Sequence, residues 1–178
     1  MSDSPIILDI EASGFGPGSY PIEVGVALAD GRLLARLIKP LDHWTHWQKS
    51  AEEIHGISRE RLLDEGVEPR EIAVELNTLL ANQTVYTDGW GVDRSWLALL
   101  FYESQVLQRF RLESVYSLLD EHQLEHWSMY REQVLEITGM EPHRAGTDAL
   151  IVQGTFLYAM DPDGFIKGYS VGKKIKVA

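Results

Sequence analysis

The sequence contains no cysteine among its 178 residues. This absence excludes a disulfide framework and a thiolate metal site, and it is compatible with a reducing compartment. A long hydrophobic run is also lacking, because the longest, Trp96 to Tyr102, is far too short to span a bilayer. The first residues, Met1 to Pro5, contain no basic region typical of a secretion signal. We therefore expect a cytoplasmic protein with no membrane partner.

Basic residues are scarce: 16 Lys and Arg stand against 27 Asp and Glu, which gives a formal net charge of -11. This charge would repel a polyanion, which argues against a protein that coats long nucleic acid by counterion release. It does not exclude an enzyme that grips a few nucleotides with the help of divalent metal. Lys173, Lys174 and Lys176 near the C-terminus either contact phosphates or belong to a solvated tail, and we favour the tail.

The apolar residues predict one α/β domain. With 44% hydrophobic residues, the chain can bury a substantial core, and no repeat or Pro/Gly/Ser-rich linker divides it. We expect a single domain over residues 1–178, with a core of about residues 6–160 and a C-terminal tail over 161–178.

Hydrophobic periodicity predicts the order of strands and helices. The predicted strands are Ile6 to Ile10, Glu23 to Ala29, Arg32 to Lys39, Thr84 to Thr87 and Leu112 to Val115. The predicted helices are Gln48 to Ile54, Pro69 to Ala81, Asp93 to Gln108, Leu124 to Thr138 and Ala145 to Met160. Asp30-Gly31 suits a tight hairpin turn. This order predicts a mixed five-stranded sheet flanked by helices on both faces.

Two carboxylates occur in the first apolar strand. Asp9 and Glu11 are two residues apart, so they project from the same face, while Leu8 and Ile10 project from the other. Two adjacent carboxylates near a core repel each other unless a cation compensates them. Taken alone, the pair is also compatible with a polar strand end.

A second acidic feature is Asp148, the one charged residue in the apolar stretch from Ala145 to Met160. Lone buried carboxylates are rare unless they bind a metal or form an ion pair, here for example with Arg144. His143 lies just before this predicted helix, where an imidazole could reach a reacting water; a surface or capping role is the alternative.

Asp93 is the third feature, because it follows a glycine-containing turn and precedes apolar residues at helical spacing. It is either a site residue or simply the helix N-cap. Asp88, five residues earlier, is a competing candidate for the same role.

Together these segments resemble the DEDDh-type 3′→5′ exonucleases of the ribonuclease H-like superfamily, over about residues 6–160. The segments that carry the resemblance are Leu8 to Gly14, Tyr20 to Gly25, Ile54 to Ser58, Thr87 to Asp93 and His143 to Ala149. Two positions depart from the family pattern: Ala12-Ser13-Gly14 stands where Thr-Thr-Gly is common, and Val92 stands where phenylalanine is common.

The resemblance implies a ribonuclease H-like fold and a catalytic site with two Mg²⁺ or Mn²⁺ ions. Asp9 would bridge the two metals, with Glu11 and Asp148 completing the nucleophile-side metal. Asp93 would support the leaving-group side, and His143 would be the general base. This assignment agrees with the preference of these metals for oxygen ligands and with two-metal phosphodiester chemistry.

The resemblance also implies release of 5′-mononucleotides from single-stranded 3′ ends or short oligonucleotides. The residues expected to bind the terminal nucleotide are Ala12, Ser13, Gly14, Phe15, His55 and Ile57. Core packing is the alternative for Phe15 and Ile57. The choice between DNA and RNA and the oligomeric state stay open.

Two other functions compete with this interpretation. His122, Glu125 and His126 match a His-x-x-Glu-His pattern of zinc metallopeptidases. No further ligand constellation follows them, and the flanking residues suit a solvated amphipathic helix. A non-catalytic binding module on an exonuclease-like fold is the second alternative, and nucleotide release in Mn²⁺ would distinguish it.

Overall fold

The structure is a computed structural model that describes residues 4–170. Its strands are β1 (Ile7–Ala12), β2 (Pro21–Ala27), β3 (Leu33–Leu37), β4 (Thr84–Thr87) and β5 (Arg111–Ser114). Its α-helices are α1 (Lys49–His55), α2 (Arg59–Glu65), α3 (Pro69–Leu80), α4 (Trp90–Glu103), α5 (Glu121–Glu125), α6 (Trp127–Thr138), α7 (Ala145–Met160) and α8 (Pro162–Ser170). A short 3₁₀ helix covers Val115–Leu118.

The five strands form one mixed sheet in the order β3-β2-β1-β4-β5. The first three are antiparallel neighbours, whereas β4 pairs in parallel with both β1 and β5. The hairpin between β2 and β3 turns through Asp30 and Gly31, and Gly31 has a φ of 86° that favours glycine. The predicted mixed five-stranded sheet is confirmed.

Hydrophobic residues pack on both faces of the sheet, as predicted. Leu8, Ile10 and Ala12 of β1 join a core cluster that includes buried residues of α3 and α4. Ile7 instead packs with Ala149 and Val152 of α7 on the opposite face. Because strand side chains alternate, Asp9 and Glu11 project from the face that α7 covers.

Several local differences separate the structure from the prediction. Strand β1 continues to Ala12, so both carboxylates lie within the strand rather than at its end. Helix α2 was not predicted, because Leu62 is its one buried residue. A separate α5 precedes α6, since a capping box between Asp120 and Gln123 starts a short helix and the chain turns at His126.

A helix also occupies part of the expected C-terminal tail. Pro162–Ser170 form α8, whose Phe165 ring lies 5.8 Å from the ring of Tyr158 on α7. The Tyr169 hydroxyl donates a hydrogen bond to the Thr138 carbonyl at 3.2 Å. The part of the expected tail that the structure describes is therefore helical. Lys173, Lys174 and Lys176 lie outside the described residues, and no described helix is long and apolar enough to cross a membrane.

Candidate functional site

A cavity of about 460 Å³ opens above the carboxylates of β1. Its walls come from β1 and the loop that follows, from α1, from the start of α4, and from α6 and α7. The expected site residues among its lining are Asp9, Glu11, Ala12, Gly14, Phe15, His55, Asp93, His143 and Asp148. The fold thus brings together segments separated by up to 139 residues of sequence, from Asp9 to Asp148.

Three of these side chains form a compact carboxylate cluster. Asp9, Glu11 and Asp148 each contribute an oxygen atom, and the three atoms lie within 4.8 Å of one another. The alternation of β1 supplies two carboxylates, and the first turn of α7 supplies the third. Hard carboxylate oxygens at this spacing fit Mg²⁺ or Mn²⁺.

The cluster is electrostatically strained without a cation. Burial, followed by the negative charges of Asp93, Asp148 and Glu11, raises the pKa of Asp9 well above its ordinary value. Burial and the Asp148 charge likewise raise the pKa of Glu11 to about 7. A bound divalent cation would relieve both the desolvation and the repulsion. The donor set therefore fits a metal.

Asp93 lies beside the cluster in the first turn of α4. The helix begins at Trp90 after Gly89, so Asp93 is not its N-cap. The Asp93 carboxylate is buried and accepts a hydrogen bond from the Thr87 hydroxyl. Burial raises its pKa to about 7 despite that bond. Asp88 also lines the cavity, and burial raises its pKa too.

His143 lies at the mouth of the cavity, where its side chain is exposed. Its backbone has a φ of 74°, which is uncommon for a residue other than glycine. The His143 backbone N–H donates a 2.6 Å hydrogen bond to the Asp148 carboxylate. The carboxylate of Asp148 therefore fixes the backbone that carries the imidazole.

Arg131 of α6 is a cavity residue that the sequence did not reveal. Its guanidinium donates to the second oxygen of Asp148 at 3.4 Å. Arg131 is the one lysine or arginine of residues 4–170 that lines this cavity. Arg144, which was one example of a possible ion-pair partner for Asp148, instead pairs with Glu23.

The ion pair between Glu23 and Arg144 holds the start of α7. Glu23 of β2 is 2% exposed and accepts two hydrogen bonds from Arg144, at 3.0 and 2.5 Å. It also accepts the Ala145 backbone N–H at 3.0 Å. The charged residue in an otherwise apolar strand, Pro21–Ala27, was the sequence signal for this contact.

Gly25 permits the same helix to approach the sheet. It lies opposite Asp9 in the β1–β2 register. A Cβ atom at Gly25 would lie 2.2 Å from backbone atoms of Ala145, which is closer than van der Waals contact allows. Glycine at this position therefore brings the N-terminal end of α7, and Asp148 with it, against β1.

The loop after β1 shapes one wall of the cavity. Gln48 holds the Phe15 backbone on both sides, since it accepts the Phe15 N–H at 3.0 Å and donates to the Phe15 carbonyl at 2.8 Å. The Phe15 ring is 65% exposed and lies 5.9 Å from the ring of Trp96. Gly14 has a φ of 138° and no space for a Cβ beside Gln48.

The remaining predicted nucleotide-binding residues occupy different environments. Ser13 is buried, and its backbone N–H donates to the Tyr20 carbonyl. Ile57 is fully buried in the core and is absent from the described cavity lining, whereas exposed Ile54 of α1 lines it. Gly56, the C-cap of helix α1, has a φ of 67°, which redirects the chain and turns Ile57 inward.

His55 offers a buried hydrogen-bond donor beside the cavity. Its Nδ1 accepts the Ile57 backbone N–H at 3.0 Å, so the ring proton lies on Nε2. That Nε2 is buried and has no hydrogen-bond partner among residues 4–170. Burial lowers the pKa of His55, which favours the neutral ring.

The possible zinc-peptidase residues lie outside this cavity. The rings of His122 and His126 stack 4.3 Å apart, and His126 Nδ1 bonds to the His122 carbonyl. Over residues 4–170, these histidines do not belong to a group of three side chains close enough to hold one metal ion.

Solved structures of Exonuclease I resemble this chain at low sequence identity. Escherichia coli Exonuclease I in complex with a dA16 oligonucleotide has a TM-score of 0.66 and 13% identity, over 93% of this chain and 42% of that one. An apo Exonuclease I has a TM-score of 0.64 and 14% identity, over 93% of this chain and 44% of that one. The zinc-bound E. coli ExoI–ssDNA complex has a TM-score of 0.62 and 14% identity, over 93% of this chain and 42% of that one.

These similarities establish the class of fold, which is ribonuclease H-like α/β, as the sequence predicted. The chain spans less than half the length of the Exonuclease I chains that it matches. No protein-family model and no curated protein matches the sequence.

Proposed function

We propose that this chain is a metal-dependent 3′→5′ exonuclease that releases 5′-mononucleotides from single-stranded DNA or RNA. The observation that carries the proposal is the cluster of Asp9, Glu11 and Asp148, whose oxygens converge within 4.8 Å in a cavity that also contains Asp93 and His143. The similarity in fold to Exonuclease I, solved with single-stranded oligonucleotides, supports it.

The proposed cofactors are two Mg²⁺ or Mn²⁺ ions. Asp9, Glu11 and Asp148 would hold one of them, and Asp9 and Asp93 the other. Such ions activate water and stabilise charge on both the attacking and the leaving oxygen of a phosphodiester. The raised pKa values of these carboxyl groups support the proposal, because they reflect negative charge that the protein alone does not compensate.

In this mechanism His143 removes a proton from the attacking water. An exposed imidazole at the cavity mouth can exchange that proton with solvent after each turnover. Asp148 would have two roles, since it contributes an oxygen to the cluster and accepts the His143 backbone N–H. Arg131 would balance negative charge on the opposite side of Asp148.

The terminal nucleotide would bind between the loop after β1 and helix α1. Phe15 and Trp96 offer aromatic surface on one wall, and Ile54 offers apolar surface on the other. The Nε2–H of His55, which has no partner within the described residues, would donate a hydrogen bond to a polar group of the nucleotide. Aromatic stacking is tolerant of base identity, which suits an enzyme that trims successive nucleotides.

Nucleotide release from matched single-stranded DNA, RNA and dinucleotides tests this proposal. We expect release in Mn²⁺ or Mg²⁺ and none in excess chelator, with the relative rates revealing the preferred sugar. Asp9→Asn should abolish release. Asp64→Asn, at an exposed position on α2, removes the same charge outside the cavity and should leave the rate unchanged. Full activity in chelator would refute the proposal.

A further inference from the structure

A second groove, of about 440 Å³, lies between α4 and the edge strand β5. Residues that line this α4–β5 groove include Trp90, Arg94, Leu97, Phe110, Arg111 and Glu113. Buried Leu97 and Phe110 form an apolar floor, while the charged side chains are exposed at the rim. None of the roles proposed above involves this groove.

The groove presents an oriented aromatic ring. The Trp90 indole is 38% exposed, and its N–H donates to the Leu112 carbonyl at 3.2 Å, which fixes the ring against β5. The Arg94 guanidinium lies 5.1 Å from the centre of that ring. An exposed indole beside a guanidinium offers two planar surfaces on which a nucleic-acid base can stack.

The charge of the groove is unusual in this acidic chain. Arg94 and Arg111 are exposed, and neither forms an ion pair with a carboxylate in residues 4–170. Glu113 is the one acidic residue of the described groove lining, so the arginines outnumber it. Two uncompensated arginines around an aromatic ring complement a phosphate backbone.

Helix α4 separates this groove from the catalytic cavity. Trp90 and Arg94 are one helical turn apart and face the groove, whereas Val92, Asp93 and Trp96 line the cavity. An α-helix with its side chains is about 10–12 Å across. A strand whose 3′ end lies in the cavity can therefore reach the groove with its next few nucleotides.

We propose that the α4–β5 groove binds single-stranded nucleic acid on the 5′ side of the nucleotide being removed. Bases stack on Trp90 and Arg94, and Arg94 with Arg111 contacts phosphates, while Glu113 weakens the attraction. This inference rests on the proposed exonuclease function for the direction of the strand, but groove binding itself is measurable without catalysis.

The test compares binding with cleavage. Binding of fluorescent single strands of 2 and about 12 nucleotides is measured in Ca²⁺ at a series of salt concentrations, and dinucleotide cleavage is measured in Mn²⁺. Trp90→Ala should weaken binding of the longer strand by about 5- to 150-fold, from the loss of one stacked base. Arg94→Ala with Arg111→Ala should reduce the slope of log affinity against log salt by about 1.4. Dinucleotide cleavage should stay unchanged.

Three further variants sharpen the result. Glu113→Gln should strengthen binding of the longer strand, because it removes the negative charge from the groove. Arg61→Ala, on α2, removes one positive charge elsewhere and should change the affinity little. Trp90→Phe should retain part of the stacking, which separates loss of the ring from misfolding of α4.

Unchanged binding of the longer strand in the Trp90 and arginine variants, with normal cleavage, would overturn the groove inference alone. Equal losses for the dinucleotide and the longer strand would also overturn it, since the variants would then act through the catalytic cavity. Groove-dependent binding by a chain that cleaves nothing in Mn²⁺ would support the groove and refute the nuclease. A dimer that Trp90→Ala dissociates would make the groove a contact between copies and overturn the inference.

Discussion

Glu23 and Arg144 are 121 residues apart in sequence and form an ion pair with two hydrogen bonds beneath the start of α7. The Glu23 side chain is 3% exposed, and it also accepts the Ala145 backbone N–H. The pair therefore links β2 to the segment that carries both His143 and Asp148. The geometry of the candidate site depends on this link.

Removal of the negative charge of Glu23 should destabilise the fold. Glu23→Gln leaves a partly buried guanidinium without its counterion, so we expect a loss of about 2 kcal/mol in the free energy of unfolding. For a chain of this size, that corresponds to a melting temperature lower by about 4 to 8 °C. Thermal unfolding in chelator measures the effect without any contribution from bound metal.

The pair between Arg36 and Glu75 provides the matched control. It has the same two-bond geometry, at 3.0 and 2.8 Å, but both side chains are more than a third exposed. Glu75→Gln should therefore cost no more than about 1 kcal/mol. If Glu23→Gln and Glu75→Gln lost the same free energy of unfolding, the Glu23–Arg144 pair would contribute no more than an ordinary surface pair.

Divalent metal should stabilise the folded chain through the carboxylate cluster. At a concentration one hundred times its dissociation constant, Mn²⁺ should contribute about 2.7 kcal/mol, which raises the melting temperature by about 5 to 10 °C. Asp9→Asn should remove most of this increase, whereas Asp64→Asn should retain it. If Mn²⁺ raised the melting temperature of Asp9→Asn by the full amount, the metal would bind outside the carboxylate cluster.

His143→Ala should separate catalysis from metal binding. Loss of a general base lowers the chemical rate by about 10² to 10⁴. Metal-induced stabilisation should stay nearly unchanged, because the three clustered oxygens come from other residues. His122→Ala is the control at an exposed histidine outside the cavity, and it should change neither the chemical rate nor the metal-induced stabilisation. A parallel loss of metal binding would make His143 a ligand.

The cluster should also make stability depend on pH in the absence of metal. The ordinary pKa of Glu11 is 4.5, and burial raises it to about 7 in the folded chain. Between these values the folded state binds more protons than the unfolded state, so the free energy of unfolding falls as pH rises. The contribution is fully present below about pH 4.5 and lost above about pH 7.

Melting temperatures at pH 5 and pH 8, in chelator, measure this effect. The change for the natural chain is compared with that for Glu11→Gln, which cannot titrate at this position. The comparison cancels first-order contributions from groups common to both proteins, such as His55. We expect the decrease from pH 5 to pH 8 to be smaller in Glu11→Gln, and an identical decrease would contradict the assigned shift.

The sequence was most informative where periodicity is strong. Thr84–Thr87 and Ala145–Met160 have the predicted bounds, because a short β-branched run and a long apolar stretch each favour one structure. The alternation of β1 placed Asp9 and Glu11 on one face without any knowledge of the fold. These residues set the location of the candidate cluster.

Elements stabilised mainly by tertiary contacts were harder to predict. Helix α8 contains Gly164 and Gly168, which lower helix propensity, but Phe165 and Tyr169 pack on neighbouring helices. The charge of Glu23 in an apolar strand signals that it needs a partner, but no local pattern identifies that partner as Arg144. The inward turn of Ile57 depends on the backbone of Gly56, which a sequence pattern does not specify.

The polarity and products of cleavage test the central claim most directly. A single strand labelled at its 5′ end and an unlabelled closed circle of the same composition are each incubated with the chain in Mn²⁺. We expect a ladder that shortens from the 3′ end, with 5′-mononucleotides as the released product and an intact circle. Internal cuts in the circle, or no nucleotide release from the linear strand, would contradict the exonuclease assignment.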